Sequence, residues 1–184
     1  YPTDFIYVTK STDGGETWSE PTLLDVKKAS EQSLLVGPGR GIVISTGEHK
    51  GRIVFTCYEF TNGDKNSAAI YSDDNGVTWH RGASAKNFSS EAVVTEADGK
   101  LYMFVRRENV YYVSNDGGET WSDPQAMGIS YNATCQLTAT TYSEKINGKT
   151  AIFFACPSNT SSRAAGKIYV GLVQDDGSID WAYN

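Results

Sequence analysis

Four charged side chains stand where directed polar chemistry could be built: Glu91 at the head of the apolar run EAVV, Arg106 and Arg107 at the end of LYMFVRR, and Arg163 in the loop-like segment SNTSSRAAGK. Arginine offers planar, permanently charged donors that grip a carboxylate through two parallel hydrogen bonds, and a nearby glutamate can take a proton. Each has an ordinary alternative, since a Glu at a strand start is more often a solvated surface residue and a loop arginine usually points to water. Strand alternation sends Arg106 and Arg107 to opposite faces, so one of them can enter a shared pocket and the other is expected in an exposed ion pair.

Other chemistries lack their residues. The glycines of GPGRG (Gly37, Gly39, Gly41) are followed by no P-loop Lys-Ser/Thr and lack dinucleotide-binding spacing, so they read as a turn between repeated units. His49 and His80 have no metal-ligand partner at useful spacing and are expected at the surface, and no EF-hand-like loop is present. Cys57, Cys135 and Cys156 lie in apolar strand-like runs without CxxC or Cys/His spacing. They read as buried free thiols, with a Cys135–Cys156 bridge across neighbouring strands as the alternative. The formal net charge of −6, with no lysine or arginine run, removes nucleic acid as a partner. No stretch approaches the roughly 18 apolar residues of a membrane-spanning helix. Tyr1-Pro2-Thr3-Asp4 does not resemble a signal peptide, and a chain opening on Tyr reads as one cut from something longer.

The elements that must position these residues announce themselves through a repeat. STDGGETW (11–18), SDDNGVTW (72–79) and SNDGGETW (114–121) all satisfy S-x-D-x-G-x-T-W, and DDGSIDW (175–181) keeps the step from Asp176 to Trp181 without the Ser and Thr positions. An Asp that accepts backbone N–H groups, a Gly that supplies positive φ and a Thr-Trp that resumes a strand describe a hairpin. Strand-like runs lead into each copy (DFIYVTK, SAAIYS, NVYYVS) and others fill the gaps: KGRIVFTCYEF, SEAVVTEA, GKLYMFVRR, TCQLTATTYS, KTAIFFACP and GKIYVGLVQ. The tryptophans lie 61, 42 and 60 residues apart, near the ~40–50 residues of one four-stranded propeller blade with room for inserted loops. The 12 % aromatic content and 18 glycines against 5 prolines support the same all-β reading, of about three blades and part of a fourth.

These octapeptides resemble the Asp-boxes of the sialidase (neuraminidase) superfamily, which mark the turn between the outer two strands of successive blades, away from the active site. Non-catalytic propellers that bind glycans or proteins carry such boxes too, so the boxes speak for architecture alone. The segments between them sharpen the resemblance. VGPGRGIVISTGEHKGRIVFTCYEF, SSEAVVTEADGKLYMFVRRENVYYVSNDGGETW and TCQLTATTYSEKINGKTAIFFACPSNTSSRAAGKIYVGLV are similar, in order, to bacterial secreted sialidases of the clostridial, pneumococcal and intramolecular trans-sialidase group, over nearly the whole chain.

What the resemblance implies is specific. In that family an arginine triad holds the sialic acid carboxylate, a tyrosine is the nucleophile, a glutamate takes its proton and an aspartate is the general acid. A neutral nucleophile avoids the clash that an Asp or Glu would meet beside the substrate's own carboxylate, which makes sialidases an exception to the two-carboxylate rule. Glu91 matches the glutamate, Arg106 the second triad arginine by its offset from Gly99, with Arg107 as its rival, and Arg163 the third. Tyr58 is a candidate for lining the sugar, or a core residue. In a bacterial protein the sequons at Asn87, Asn132 and Asn159 carry little weight. The resemblance implies no organic cofactor, a secreted or cell-surface location, and terminally sialylated glycans as substrates.

It also implies what is absent. The first arginine and the aspartate belong upstream of Ser11, and the tyrosine downstream of Arg163. Residues 1–184 are thus expected to be a partial domain of a six-bladed propeller, lacking the first and last blades, inactive alone and completed by blades from the same or another chain.

Overall fold

The computed structural model describes residues 5–85 and 91–183. The described elements are all strands, paired antiparallel in chain order. β1 (Ile6–Val8) and β2 (Thr22–Leu24) form a two-stranded pair. The second sheet contains β3 (Ser33–Val36), β4 (Ile42–Val43), β5 (Ile53–Thr61), β6 (Asp64–Ser72) and β7 (His80–Arg81). Its order is β3-β5-β6-β7, with β4 also on β5. The third is a meander of β8 (Ala92–Ala97), β9 (Lys100–Val105), β10 (Val110–Ser114) and β11 (Gln125–Ala126). The fourth repeats it with β12 (Thr138–Ile146), β13 (Lys149–Pro157), β14 (Gly166–Val173) and β15 (Ile179–Tyr183).

The GPGRG segment corrects one sequence expectation. It joins β3 to β4, which pair with the same strand β5, so it interrupts one strand path inside a sheet and does not separate two sheets. The reason is close packing: a Cβ at Gly37 would press on the Thr56 hydroxyl, and one at Gly41 on the ring of Phe55.

The first octapeptide links β1 to β2, the other two link the third strand of their sheet's path to the last (β6 to β7 and β10 to β11), and their fixed residues bond one another. In the second sheet the Ser72 hydroxyl donates to Asp74 (2.8 Å) and accepts from the N–H of Gly76 (2.7 Å). Asp74 in turn accepts from the N–H and the hydroxyl of Thr78 (2.8 and 2.6 Å), and Trp79 Nε1 donates to the Gly76 carbonyl (3.2 Å). Ser11, Asp13, Gly15, Thr17 and Trp18 repeat the pattern. Ser114, Asp116, Gly118 and Thr120 do so too, although Trp121 buries its indole N–H without a partner among the described residues. The fourth and fifth positions hold positive φ in every copy (Gly14 and Gly15, Asn75 and Gly76, Gly117 and Gly118), which is why they are Gly or Asn.

The turns also join the sheets. The carbonyl at the fourth position accepts a donor from the preceding sheet's segment in three places: Asn75 from Lys10 Nζ (3.4 Å), Gly117 from Arg52 Nη1 (3.2 Å), and Gly177 of the degenerate copy from the Tyr102 hydroxyl (3.2 Å). Apolar clusters fill the space between consecutive sheets. Ile6, Leu24 and Val26 meet Leu34, Cys57 and Trp79; Val54 and Ala69 meet Val94, Leu101 and Trp121; Phe104 and Tyr111 meet Phe154 and Trp181. A ring such as Phe104 or Phe154, fully buried and in mutual contact at 5.3 Å, contributes on the order of 2–3 kcal/mol by burial. The three later tryptophans thus cover the sheet before their own, whereas Trp18 is 63 % exposed beside exposed Tyr7 and Leu23. Cys57, Cys135 and Cys156 are buried free thiols.

Candidate functional site

Glu91 and Arg106 meet because of a hairpin register. Asp98 and Gly99, both at positive φ, form the tight turn between β8 and β9, and pair Ala97 with Lys100 through to Ala92 with Val105. One step further along the same ladder Arg106 N donates to the Glu91 carbonyl (2.8 Å), so the two residues are cross-strand neighbours. Their side chains close an ion pair, Arg106 Nη1 to Glu91 Oε2 at 2.6 Å. The pair is partly open, with Arg106 and Glu91 side chains 21 % and 24 % exposed, so another molecule can reach both groups.

Arg106 is anchored on its far side, where Nε donates to the Thr134 carbonyl (2.8 Å). The next residue, Arg107, donates its N–H to the Ala133 carbonyl (2.5 Å) with φ at +80°. β9 ends at Val105, so the turn, and not strand alternation, separates the two arginines. Arg107 is exposed and, against expectation, makes no ion pair among the described residues.

Tyr58, half-buried on β5, senses the pair electrostatically. Burial pushes its phenol above the usual range, the Glu91 carboxylate adds to that, and Arg106 opposes it. Arg163 is exposed in the loop between β13 and β14, and makes no ion pair or hydrogen bond among the described residues. Its neighbour Ser162 is tied by its carbonyl to the side chain of Asn132 (3.0 Å). Glu91 and Arg106 are therefore in contact, Tyr58 is within their field, and the structure brings to them only the loop that carries Arg163, through the Ser162–Asn132 bond, and not the Arg163 side chain itself.

Several other candidates fall away from this group. His80 is exposed as expected, but His49 is half-buried, against Gly117 in the turn of the 114–121 octapeptide. Asn87 lies outside the described residues, Asn159 is exposed, and Asn132 is buried. A concavity of about 620 Å³ lies at the opposite end of β8, beside Glu96 and Asp98. Its carboxylate Glu96 is saturated by the N–H and hydroxyl groups of Ser45 and Thr46. Burial would raise its pKa, but the Thr46 hydroxyl and these other donors outweigh that and hold it below the usual range, so no proton is poised there. Among the described residues no three His, Cys, Asp or Glu side chains could hold a metal ion.

Sequence reading missed Arg52, Asn132 and Thr134. Arg52 is 5 % exposed, paired through Nε and Nη2 with Asp73 (2.8 and 2.9 Å) and through Nη1 with Glu119 (3.0 Å), and stacked 4.1 Å from the Tyr71 ring centroid. Nothing in its setting KGRIV marked it.

This succession of antiparallel sheets, three of them closed by S-x-D-x-G-x-T-W turns and the fourth by a degenerate copy, has a known family. Residues 2–181 match the model of the BNR repeat-like domain, and the chain belongs to that family. Its relatives narrow the kind. The chain is 36 % identical to the anhydrosialidase of Macrobdella decora, over all of this chain and 26 % of the relative. It is 34 % identical to sialidase B of Streptococcus pneumoniae, over all of this chain and 27 % of that protein. The crystal structure of the intramolecular trans-sialidase from Ruminococcus gnavus superposes with a TM-score of 0.87 at 33 % identity, covering 97 % of this chain and 40 % of that one. The chain is therefore homologous to sialidases and intramolecular trans-sialidases, and spans about a quarter to two fifths of their length.

Proposed function

We propose that this chain is part of the catalytic domain of an exo-α-sialidase that removes terminal sialic acid from glycoconjugates with retention of configuration. The contact between Glu91 and Arg106 carries the reading. A carboxylate and a guanidinium, both partly open to solvent and held by main-chain pairing, suit a site that must take a proton and bind an anion together.

In this reading Arg106 and Arg163 clamp the carboxylate of the sugar, and the ring of Tyr58 lines the pocket. A tyrosine from outside this chain attacks the anomeric carbon, Glu91 accepts its proton, and an aspartate from outside protonates the leaving oxygen. Water then releases the sugar from the tyrosyl intermediate. The reaction needs no organic cofactor, and the parent protein acts at or beyond the cell surface, where sialylated glycans are met.

The remaining groups come with further blades of a six-bladed propeller whose turns are Asp-boxes, with residues 1–184 as its partial domain. Trp18, Tyr7 and Leu23 support this, because they are uncovered on the first pair while the corresponding tryptophans of the later sheets are packed. The test is release of a fluorophore from an α-linked sialoside. The full-length parent should turn it over, Glu91→Gln should abolish most of that, and residues 1–184 alone should be inactive. A fully active Glu91→Gln parent would overturn the assignment, and a parent without turnover would favour a glycan- or protein-binding propeller.

A further inference from the structure

We infer that Asn132 is a positioning residue that sets the spacing of the two substrate-binding arginines. The inference rests on the reading above, in which Arg106 and Arg163 hold one carboxylate.

Asn132 is 5 % exposed and every polar atom of its side chain is engaged. Its Oδ1 accepts from the N–H and the hydroxyl of Thr134 (3.1 and 2.6 Å), and its Nδ2 donates to the Ser162 carbonyl (3.0 Å). Its own N–H is held by the Pro157 carbonyl at the end of β13 (2.9 Å). One side chain thus joins two loops that share no strand. The first offers the Thr134 carbonyl to Arg106 Nε and the Ala133 carbonyl to the Arg107 N–H; the second carries Arg163 next to the bonded Ser162.

The bonding also accounts for the Asn132-Ala133-Thr134 sequon. An Asn whose carbonyl oxygen captures the N–H and hydroxyl two residues on is an Asx-type turn, which needs this spacing for reasons unrelated to glycan attachment. With Nδ2 buried and donating, the amide is also closed to modification in the folded chain. A buried amide that uses both ends on main chain and turn fixes distance more firmly than an apolar residue could, because leaving either end unpaired is costly. An arginine clamp depends on such distances, since a misplacement of about 1 Å at a binding group can cost up to about 100-fold.

The experiment measures, by calorimetry on the full-length parent, the affinity for N-acetylneuraminic acid and for its methyl ester. The ratio of the two reports the clamp and is unaffected by the fraction of protein that is folded. Asn132→Ala should weaken acid binding about tenfold while leaving the ester nearly unchanged, so that the ratio collapses towards one. Asn132→Asp keeps both acceptor contacts with Thr134, loses the donor to Ser162, and should lower the ratio by a smaller factor. It also answers the question if the alanine variant fails to fold. A ratio that stays at the wild-type value in a folded Asn132 variant, while Arg106→Ala and Arg163→Ala erase it, would overturn the positioning role alone. A wild-type protein that does not distinguish acid from ester would overturn the clamp itself, and this inference with it.

Discussion

Arg52 and Arg106 are two guanidinium groups bonded to carboxylates on neighbouring stretches of sheet, yet their surroundings assign them opposite work. Arg52 is almost wholly buried, spends Nε, Nη1 and Nη2 on protein acceptors, and lies against the Tyr71 ring. It bonds Asp73 in its own sheet and the carbonyls of Asp116 and Gly117 in the next, which makes it a joint between sheets. Arg106 has the Glu91 carboxylate and the Thr134 carbonyl among its partners, keeps a fifth of its side chain in solvent, and sits at a strand end. A guanidinium enclosed on all sides has little to offer a ligand, whereas one that keeps part of its side chain in solvent can still be reached by an anion. Exposure, more than charge, separates the two arginines.

The contrast predicts variants that fail in different ways. The largest effect falls on chemistry: Glu91→Gln in the full-length parent should lower kcat by about 10²–10⁴, as loss of a general base does, with the thermal midpoint almost unmoved. A matching loss of stability would mean that the Glu91–Arg106 pair is a second joint. Arg52→Ala should do the reverse, costing about 1–3 kcal/mol in denaturant unfolding because it leaves the Asp116 and Gly117 carbonyls without their donor and removes the packing on Tyr71, the half-exposed Asp73 and Glu119 carboxylates turning to water, while the activity of the surviving folded protein is retained. Unchanged unfolding would sink its role as a joint.

Smaller effects follow at the turns. The Thr17 hydroxyl and N–H hold Asp13 well below the usual carboxylate range, and those of Thr78 do the same for Asp74. For a folded-state value below the unfolded one, the stabilisation is present above the unfolded value, about 4, and is lost as pH falls through the depressed one. Melting temperature should thus drop as pH is lowered below about 4, and Asp74→Asn should melt lower at neutral pH with a shallower acid drop. An identical pH profile in the variant would remove Asp74 from the account. The smallest effect belongs to Arg107, exposed and without an ion pair among the described residues. Arg107→Ala should leave kcat/KM within about twofold and stability within about 0.5 kcal/mol; a large loss of activity would transfer the role of Arg106 to its neighbour.

What could be read from the chain beforehand follows the range of the physics involved. The S-x-D-x-G-x-T-W copies were legible because each fixed residue bonds another inside the same eight positions. The pairing of Glu91 with Arg106 was legible in principle, since Asp98-Gly99 is a two-residue turn whose register, counted outward, puts one opposite the other. The bonds of Arg52 to Asp116 and of Asn132 to Ser162 were not, because those partners lie tens of residues away, on segments whose approach depends on how whole sheets stack. GPGRG misled for a related reason: its glycines answer to Thr56 and Phe55 on the adjoining strand, so local composition suggested a boundary where there is a kink.

The fourth position of each octapeptide turn has a consequence for how such a chain can change over time. The donors that reach it differ, a lysine, an arginine and a tyrosine, but the acceptor is always a main-chain oxygen at positive φ. A socket made of backbone does not vanish when a side chain is exchanged, so plugs can be replaced one at a time without redesigning the joint. For the same reason, duplicating or deleting a whole unit brings some plug to an equivalent socket, whereas losing half a unit leaves a socket facing nothing.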